Sequence, residues 1–182
     1  MSGILLAGCW GSSLWTGANL VYDRYDVYKE VSDFELSAAV NRALYKDKVF
    51  KCAACAVDVA VFNGDILLAG HVPNVHLRTE AQKRITIPGY RRIFNQLSIS
   101  PLASNTVEDS WITAKIRSGI LRDASIDPDQ FKIVTADNIV YLMGDVIPGQ
   151  ARNVVLIARS TDGVKRVVKL FKYYHLTDRD KL

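Results

Sequence analysis

The chain has 182 residues, with 23 Lys and Arg against 19 Asp and Glu and a net charge of +4. Its apolar content is that of an ordinary globular protein, and no stretch reaches the roughly 20 apolar residues of a membrane-spanning helix, so it is not expected to cross a bilayer. The positive charge is mild and spread along the chain, with no Arg/Lys block and no aromatic-basic RNA-binding signature, so no nucleic acid is expected as a partner.

Residues 1–9 end in Leu6-Ala7-Gly8-Cys9, which resembles a bacterial lipobox. In that pattern the cysteine is diacylated and becomes the mature N-terminus. The charged start and long apolar core of a full signal peptide are missing, so 1–9 reads as a truncated signal. A lipidated Cys9 would anchor the protein to a membrane rather than embed it. Trp10 is not the aspartate that retains lipoproteins in the inner membrane of enteric bacteria, which favours the outer membrane. Residues 10–30, rich in Gly, Ser, Tyr and Asp without a clear period, read as a tether.

From there the chain states one pattern twice. Asp33 is placed to cap a helix whose apolar residues Leu36, Val40, Ala43 and Leu44 recur at helical spacing. An alternating strand, Ala56–Phe62, and a second strand, Ile66–Val72, flank Asn63-Gly64-Asp65, a strong hairpin signal. A helix from Val75 to Ile85 then leads to a third strand, Tyr90–Ile99. About 75 residues after the first helix the order returns. Asp109 caps a helix to Leu121, strands Phe131–Thr135 and Ile139–Val146 flank Ala136-Asp137-Asn138, a helix spans Gln150–Ser160, and a strand runs from Val164 to Tyr174. Gly89-Tyr90-Arg91-Arg92-Ile93 is answered by Gly163-Val164-Lys165-Arg166-Val167. The repeat predicts two small α+β modules, 31–100 and 106–174, each α-β-β-α-β with a three-stranded mixed sheet covered by two helices, and a C-terminal tail, 175–182. Modules of this size bury little apolar surface alone and are expected to pack together.

The element order, Gly70 and Gly144 late in the second strands, and Asp162-Gly163-Val164-Lys165-Arg166-Val167 opening the last strand resemble the BON-domain family. Two such modules behind a lipobox resemble the dual-BON outer-membrane lipoproteins of that family. The opening of the second module, from Ser104-Asn105 through Asp109-Ser110-Trp111-Ile112-Thr113-Ala114-Lys115-Ile116-Arg117-Ser118, carries much of this likeness. The first module departs from it at Pro88, before Gly89. The resemblance implies a non-enzymatic protein on the periplasmic face of the outer membrane that supports cell-envelope integrity. It also implies a partner, an anionic, phosphatidylglycerol-like phospholipid surface, with contact to the outer-membrane protein assembly machinery as a further implication.

The resemblance places lipid binding on the first helix of the second module, at Trp111, Ile112, Lys115, Arg117, Ser118 and Arg122. On a helical wheel Ile112, Ile116, Gly119 and Ile120 form the core-facing side, and Trp111, Lys115, Ser118 and Arg122 run along its flank. An aromatic ring followed by two cations suits a headgroup interface, with the ring at the polar–apolar boundary and the cations reaching phosphates. The rival reading is a tryptophan half-buried against the neighbouring module beside two solvated cations. Glu35 stands where the first module would have its tryptophan, so the copies differ in role. Arg152, Arg159, Lys165 and Arg166 would add attraction to anionic lipid or form a solvated face, and the first module's Arg78, Lys83, Arg84, Arg91 and Arg92 read as a solvated or partner-facing surface.

Cys52-Ala53-Ala54-Cys55 admits a structural disulfide, two buried thiols or a redox pair. Its place between a helix and a strand, rather than at a helix N-terminus, weighs against redox catalysis. His71, His76 and His175 lack ligand spacing, so neither a metal nor a cofactor is expected. His71 and His76 read as structural, and Asp145 and Asp162 have no partner carboxylate for acid–base work. No catalytic residue is assigned. A protein-interaction or chaperone-like adaptor of outer-membrane protein assembly, without lipid preference, stands as the alternative function.

Overall fold

The computed structural model describes residues 32–100 and 106–174; Cys9, the tether and the C-terminal tail lie outside the described residues. The first module comprises α1 (32–44), β1 (Ala56–Phe62), β2 (Asp65–Val72), α2 (Val75–Lys83), β3 (Arg92–Asn95) and β4 (Ser98–Ile99). The second comprises α3 (Thr106–Arg122), a 3-10 turn at Pro128–Gln130, β5 (Phe131–Ala136), β6 (Ile139–Val146), α4 (Pro148–Arg159) and β7 (Arg166–Tyr173). Both follow the expected order. In each, the first two strands form an antiparallel hairpin, and the chain returns through a helix to lie parallel to the second strand.

The expected strand Tyr90–Ile99 is two segments, β3 and β4, both parallel to β2 without a change of register. Its ladder is interrupted around Leu97, whose side chain is buried in the first core. Asp33 and Asp109 do more than sit at helix starts. Asp109 lies inside α3, and its two carboxylate oxygens accept the backbone N–H groups of Asp137 and Asn138 at 2.9 and 2.8 Å. Asp33 accepts those of Asn63 and Gly64 in the same way. Both hairpins turn through two residues with positive φ, 48° and 76° in one, 55° and 62° in the other. Such turns leave N–H groups outside the strand ladder, and the aspartate supplies the missing acceptor. The repeated aspartate therefore clamps helix to hairpin.

Strand alternation divides the apolar residues into three clusters. Leu36, Val40 and Leu44 of α1 and Ala81 of α2 cover Val57, Val61, Ile66, Leu68 and Val72 on one face of the first sheet. Ile112, Ile116 and Ile120 of α3, with Ala151, Val154 and Ala158 of α4, cover Ile133, Val140, Leu142 and Val146 of the second. The opposite faces meet each other, bringing Ala60, Leu67 and Ala69 against Ala136, Tyr141, Met143 and Leu170. The modules thus pack sheet to sheet with helices outside, which is why β2 is buried along its whole length. Each fully buried aliphatic side chain contributes about 1.5–3 kcal/mol, and among the described residues it is this pairing that covers the inner faces.

Polar contacts seal the same interface with approximate two-fold symmetry. His71 Nδ1 donates to the Asp137 carboxylate at 2.9 Å, and Asn63 Nδ2 donates to Asp145 at 3.4 Å. Asn63 and Asp137 each open a hairpin turn; His71 and Asp145 each follow the strand glycine. Arg91 extends the second contact, donating to Asp65 of its own module and to Asp145 of the other. Burial alone would raise the carboxyl of Asp65, but bonds from Arg92 and Arg91 outweigh it and hold it below the ordinary aspartate range.

Several side chains whose role the sequence leaves open are engaged in the structure. Arg84, Arg91 and Arg92 are held in ion pairs: Arg84 is tied to Asp47, Glu80 and the Leu44 carbonyl, and the other two to Asp65. Arg78 and Lys83 do remain exposed. Lys165 is likewise engaged, donating to Asn138 Oδ1 at 2.9 Å. Cys52 and Cys55 are joined in a disulfide between α1 and β1, so neither is a free thiol.

Candidate functional site

The second module's α3 has two faces of opposite character. Its inner side buries Asp109, Ile112, Ile116 and Ile120. Ile112 is completely buried, so its assignment to a surface contact is corrected: its side chain belongs to the core that holds α3 on the sheet. The outer side presents Val107, Trp111 and Leu121, which are 79%, 49% and 72% exposed, with Ala114 and Ser118 exposed between them. Steps of four and three residues place all five on one stripe. An apolar stripe directed away from its own core makes this face the candidate interaction surface.

Cations border this stripe. Lys115 and Arg122 lie on one flank, where the Lys115 ammonium sits 3.6 Å from the centroid of the Trp111 ring. Arg122 Nε donates to the Ser118 carbonyl at 3.1 Å, and its charge at the end of α3 is favoured by the helix dipole. Arg117 projects from the other flank into the cleft between the modules. Trp111, Lys115, Arg117, Ser118 and Arg122 are therefore all exposed on one helix, while Ile112 is not.

Two depressions adjoin α3. A groove of about 300 Å³ separates it from the end of α4, lined by Lys115, Ser118, Arg122, Ser160, Thr161 and Asp162. Gly119 also lines it, and a Cβ there would lie 2.6 Å from Ile157 Cγ2, so that the Ile157 side chain or its helix would have to shift. On the opposite flank a cleft of about 410 Å³ lies between α3, β5 and β1. Asp58 faces it, and burial, then the charges of Asp109 and Asp137, push its carboxyl above the ordinary range. Asp109 and Asp137 are committed to the turn and to His71, which leaves no acid–base pair among these three.

Val107 and Leu121 are site residues that the sequence reading misses: the flank it marks runs from Trp111 to Arg122, whereas the pole opposite the core isoleucines runs through Val107, Ser118 and Trp111. In the sequence Asp162 reads only as a carboxylate without an acid–base partner, because nothing there sets it against Lys115, to which it lies 3.8 Å away.

The profile of the BON domain matches residues 32–101 and again 108–173. The chain belongs to the BON-domain family. It is a dual-BON protein similar to the outer membrane lipoprotein DolP of Haemophilus influenzae, with 31% identity over 176 residues, 93% of this chain and 91% of that one. It is also similar to a 21 kDa hemolysin of Actinobacillus pleuropneumoniae, with 30% identity over 148 residues, 79% of this chain and 75% of the other. Among solved structures, CdsD, a structural protein of the type III secretion system of Chlamydia trachomatis, aligns with 81% of this dual-BON chain and 96% of its own. That match has a TM-score of 0.34 and 10% identity, too low to bear on the fold. Among the described residues no helix is long and apolar enough to cross a membrane.

Proposed function

We propose that this dual-BON protein is a non-enzymatic outer-membrane lipoprotein whose second module docks on anionic phospholipid at the periplasmic face and thereby supports cell-envelope integrity. The observation that carries this reading is the outward stripe of α3, with Val107, Trp111 and Leu121 exposed between Lys115 and Arg122 on one side and Arg117 on the other. Shallow insertion would bury the apolar residues and leave the cations level with lipid phosphates, where each contributes roughly 1 kcal/mol. Trp111 belongs to none of the three apolar clusters, which favours this reading over a tryptophan packed against the other module. The similarity to a protein named an outer membrane lipoprotein supports the location. A diacylated Cys9 would anchor the chain to the membrane, and α3 would add a contact selective for anionic lipid.

Co-flotation with liposomes tests this. The soluble chain beginning after Cys9 is expected to float with phosphatidylglycerol but not with phosphatidylcholine, less so at high salt, and Trp111→Ala is expected to abolish it. Failure to float on either lipid would reject lipid docking and make a protein adaptor of outer-membrane protein assembly the leading function.

A further inference from the structure

Lys115 is held between two neighbours. Its ammonium lies 3.6 Å from the centroid of the Trp111 ring and 3.8 Å from Oδ2 of Asp162. Asp162 follows the end of α4, and its side chain is 91% exposed, so chain position rather than packing sets it there. Lys115 and Asp162 stand on opposite walls of the groove between α3 and α4, with Ser118 and Arg122 beside the one and Ser160 and Thr161 beside the other. An ion pair this exposed, at the outer limit of contact distance, is weak and exchangeable. Its ammonium is also the cation nearest the tryptophan that would enter a membrane.

We infer that Asp162 is a resident rival of the lipid phosphate. In the free protein its carboxylate holds Lys115; at a membrane the phosphate of an anionic phospholipid enters the groove, takes Lys115 and Arg122, and displaces the carboxylate into solvent. The inference rests on the lipid reading above and deepens it. Asp162 is then a specificity-determining residue, because its negative charge must be carried up to an anionic surface. Docking succeeds only where anionic headgroups are dense enough to outcompete it. The Trp111 ring has the complementary part, keeping the ammonium beside the point of insertion through its π face.

The test titrates the chain that begins after Cys9 with phosphatidylcholine vesicles containing graded amounts of phosphatidylglycerol. Asp162→Asn is expected to bind mixed vesicles about three- to tenfold more tightly than the unsubstituted chain, a range that follows from removing one charge near the surface. It should also need a smaller share of phosphatidylglycerol. Glu35→Gln makes the same change of charge at an exposed position of α1 and should leave the curve nearly unmoved. In a Lys115→Met background, Asp162→Asn should add clearly less, because only the repulsion between its charge and the surface is then left to remove. Equal curves for Asp162→Asn and Glu35→Gln, beside a normally binding parent chain, would overturn the role of Asp162 alone. No binding by the parent chain would remove the lipid reading and this inference with it. Glycerol 3-phosphate in solution that competes the protein off vesicles at millimolar levels would instead assign the groove to a free phosphate ester.

Discussion

His71 and Asp137, one from each module, are bonded at 2.9 Å across the packed sheets, with the imidazole almost wholly buried. The contact answers the Asn63–Asp145 pair on the other side of the approximate two-fold. A buried imidazole with no partner loses its hydration without compensation, so the pair fixes how the modules face each other. Asp137→Gly keeps the positive φ of the turn but removes the carboxylate. It is expected to lower stability by about 1–3 kcal/mol in urea unfolding. In a His71→Leu background the same substitution should cost clearly less, and equal costs would show that the pair does not couple the modules.

Gly70 offers a sharper test of the sheet geometry. Its φ is +95°, and a Cβ would lie 2.2 Å from the Ala56 carbonyl oxygen of the adjoining strand. Neither problem can be relieved by moving a flexible side chain. Gly70→Ala is expected to cost about 3 kcal/mol or more, read as a fall in melting temperature. Full stability in that variant would mean that β1 and β2 do not approach each other this closely.

These two positions also mark how far the sequence could be read. Gly70 and Gly144 carried the family resemblance, and the repeat predicted both modules and the order of their elements. What joins the modules was hidden. Strand alternation identifies Leu67, Ala69, Tyr141 and Met143 as a second apolar face, but not what covers it, because that depends on pairing between residues far apart in the chain. For the same reason Arg91 read as open surface although it bridges Asp65 and Asp145. On α3 the helical period sets Trp111, Lys115, Ser118 and Arg122 along the flank of the core face but leaves open whether Trp111 packs against the other module, which its exposure answers. Ile112 was assigned both to the core and to the lipid contact, and its burial decides for the core.

The cleft between the modules predicts a pH dependence. Burial, then the nearby Asp109 and Asp137, raise the carboxyl of Asp58 above the ordinary aspartate value of 3.8. The folded state therefore binds that proton more tightly than the unfolded state, and stability falls as pH rises from 3.8 through the raised value. Asp58→Asn should stabilise the protein at neutral pH by roughly 0.5 kcal/mol, a small effect because solvent reaches the group. The gain should vanish below that window. Asp65 has the opposite sign: its lowered carboxyl contributes stability above 3.8 that is lost as acid protonates it through the lowered value. Asp65→Asn should accordingly cost most at neutral pH. Urea unfolding across the acid range measures both.

The disulfide between Cys52 and Cys55 closes a very short loop. Loop-closure entropy for so few residues is worth about 2 kcal/mol. Reduction, or replacement of both cysteines by serine, should lower the melting temperature of the first module while leaving vesicle binding unchanged. Loss of binding on reduction would place a functional role in the first module that this account does not assign.

Entry of Trp111 into the lipid is reported by its own fluorescence. With Trp10 and Trp15 replaced by phenylalanine, Trp111 is the remaining tryptophan of the three in the chain. On phosphatidylglycerol vesicles a blue-shifted emission is expected, quenched by lipids brominated near the headgroup end of the acyl chain and less by those brominated near its tip. Emission that keeps its aqueous maximum and resists both quenchers while the protein is bound to the vesicles would contradict entry of Trp111 into the lipid.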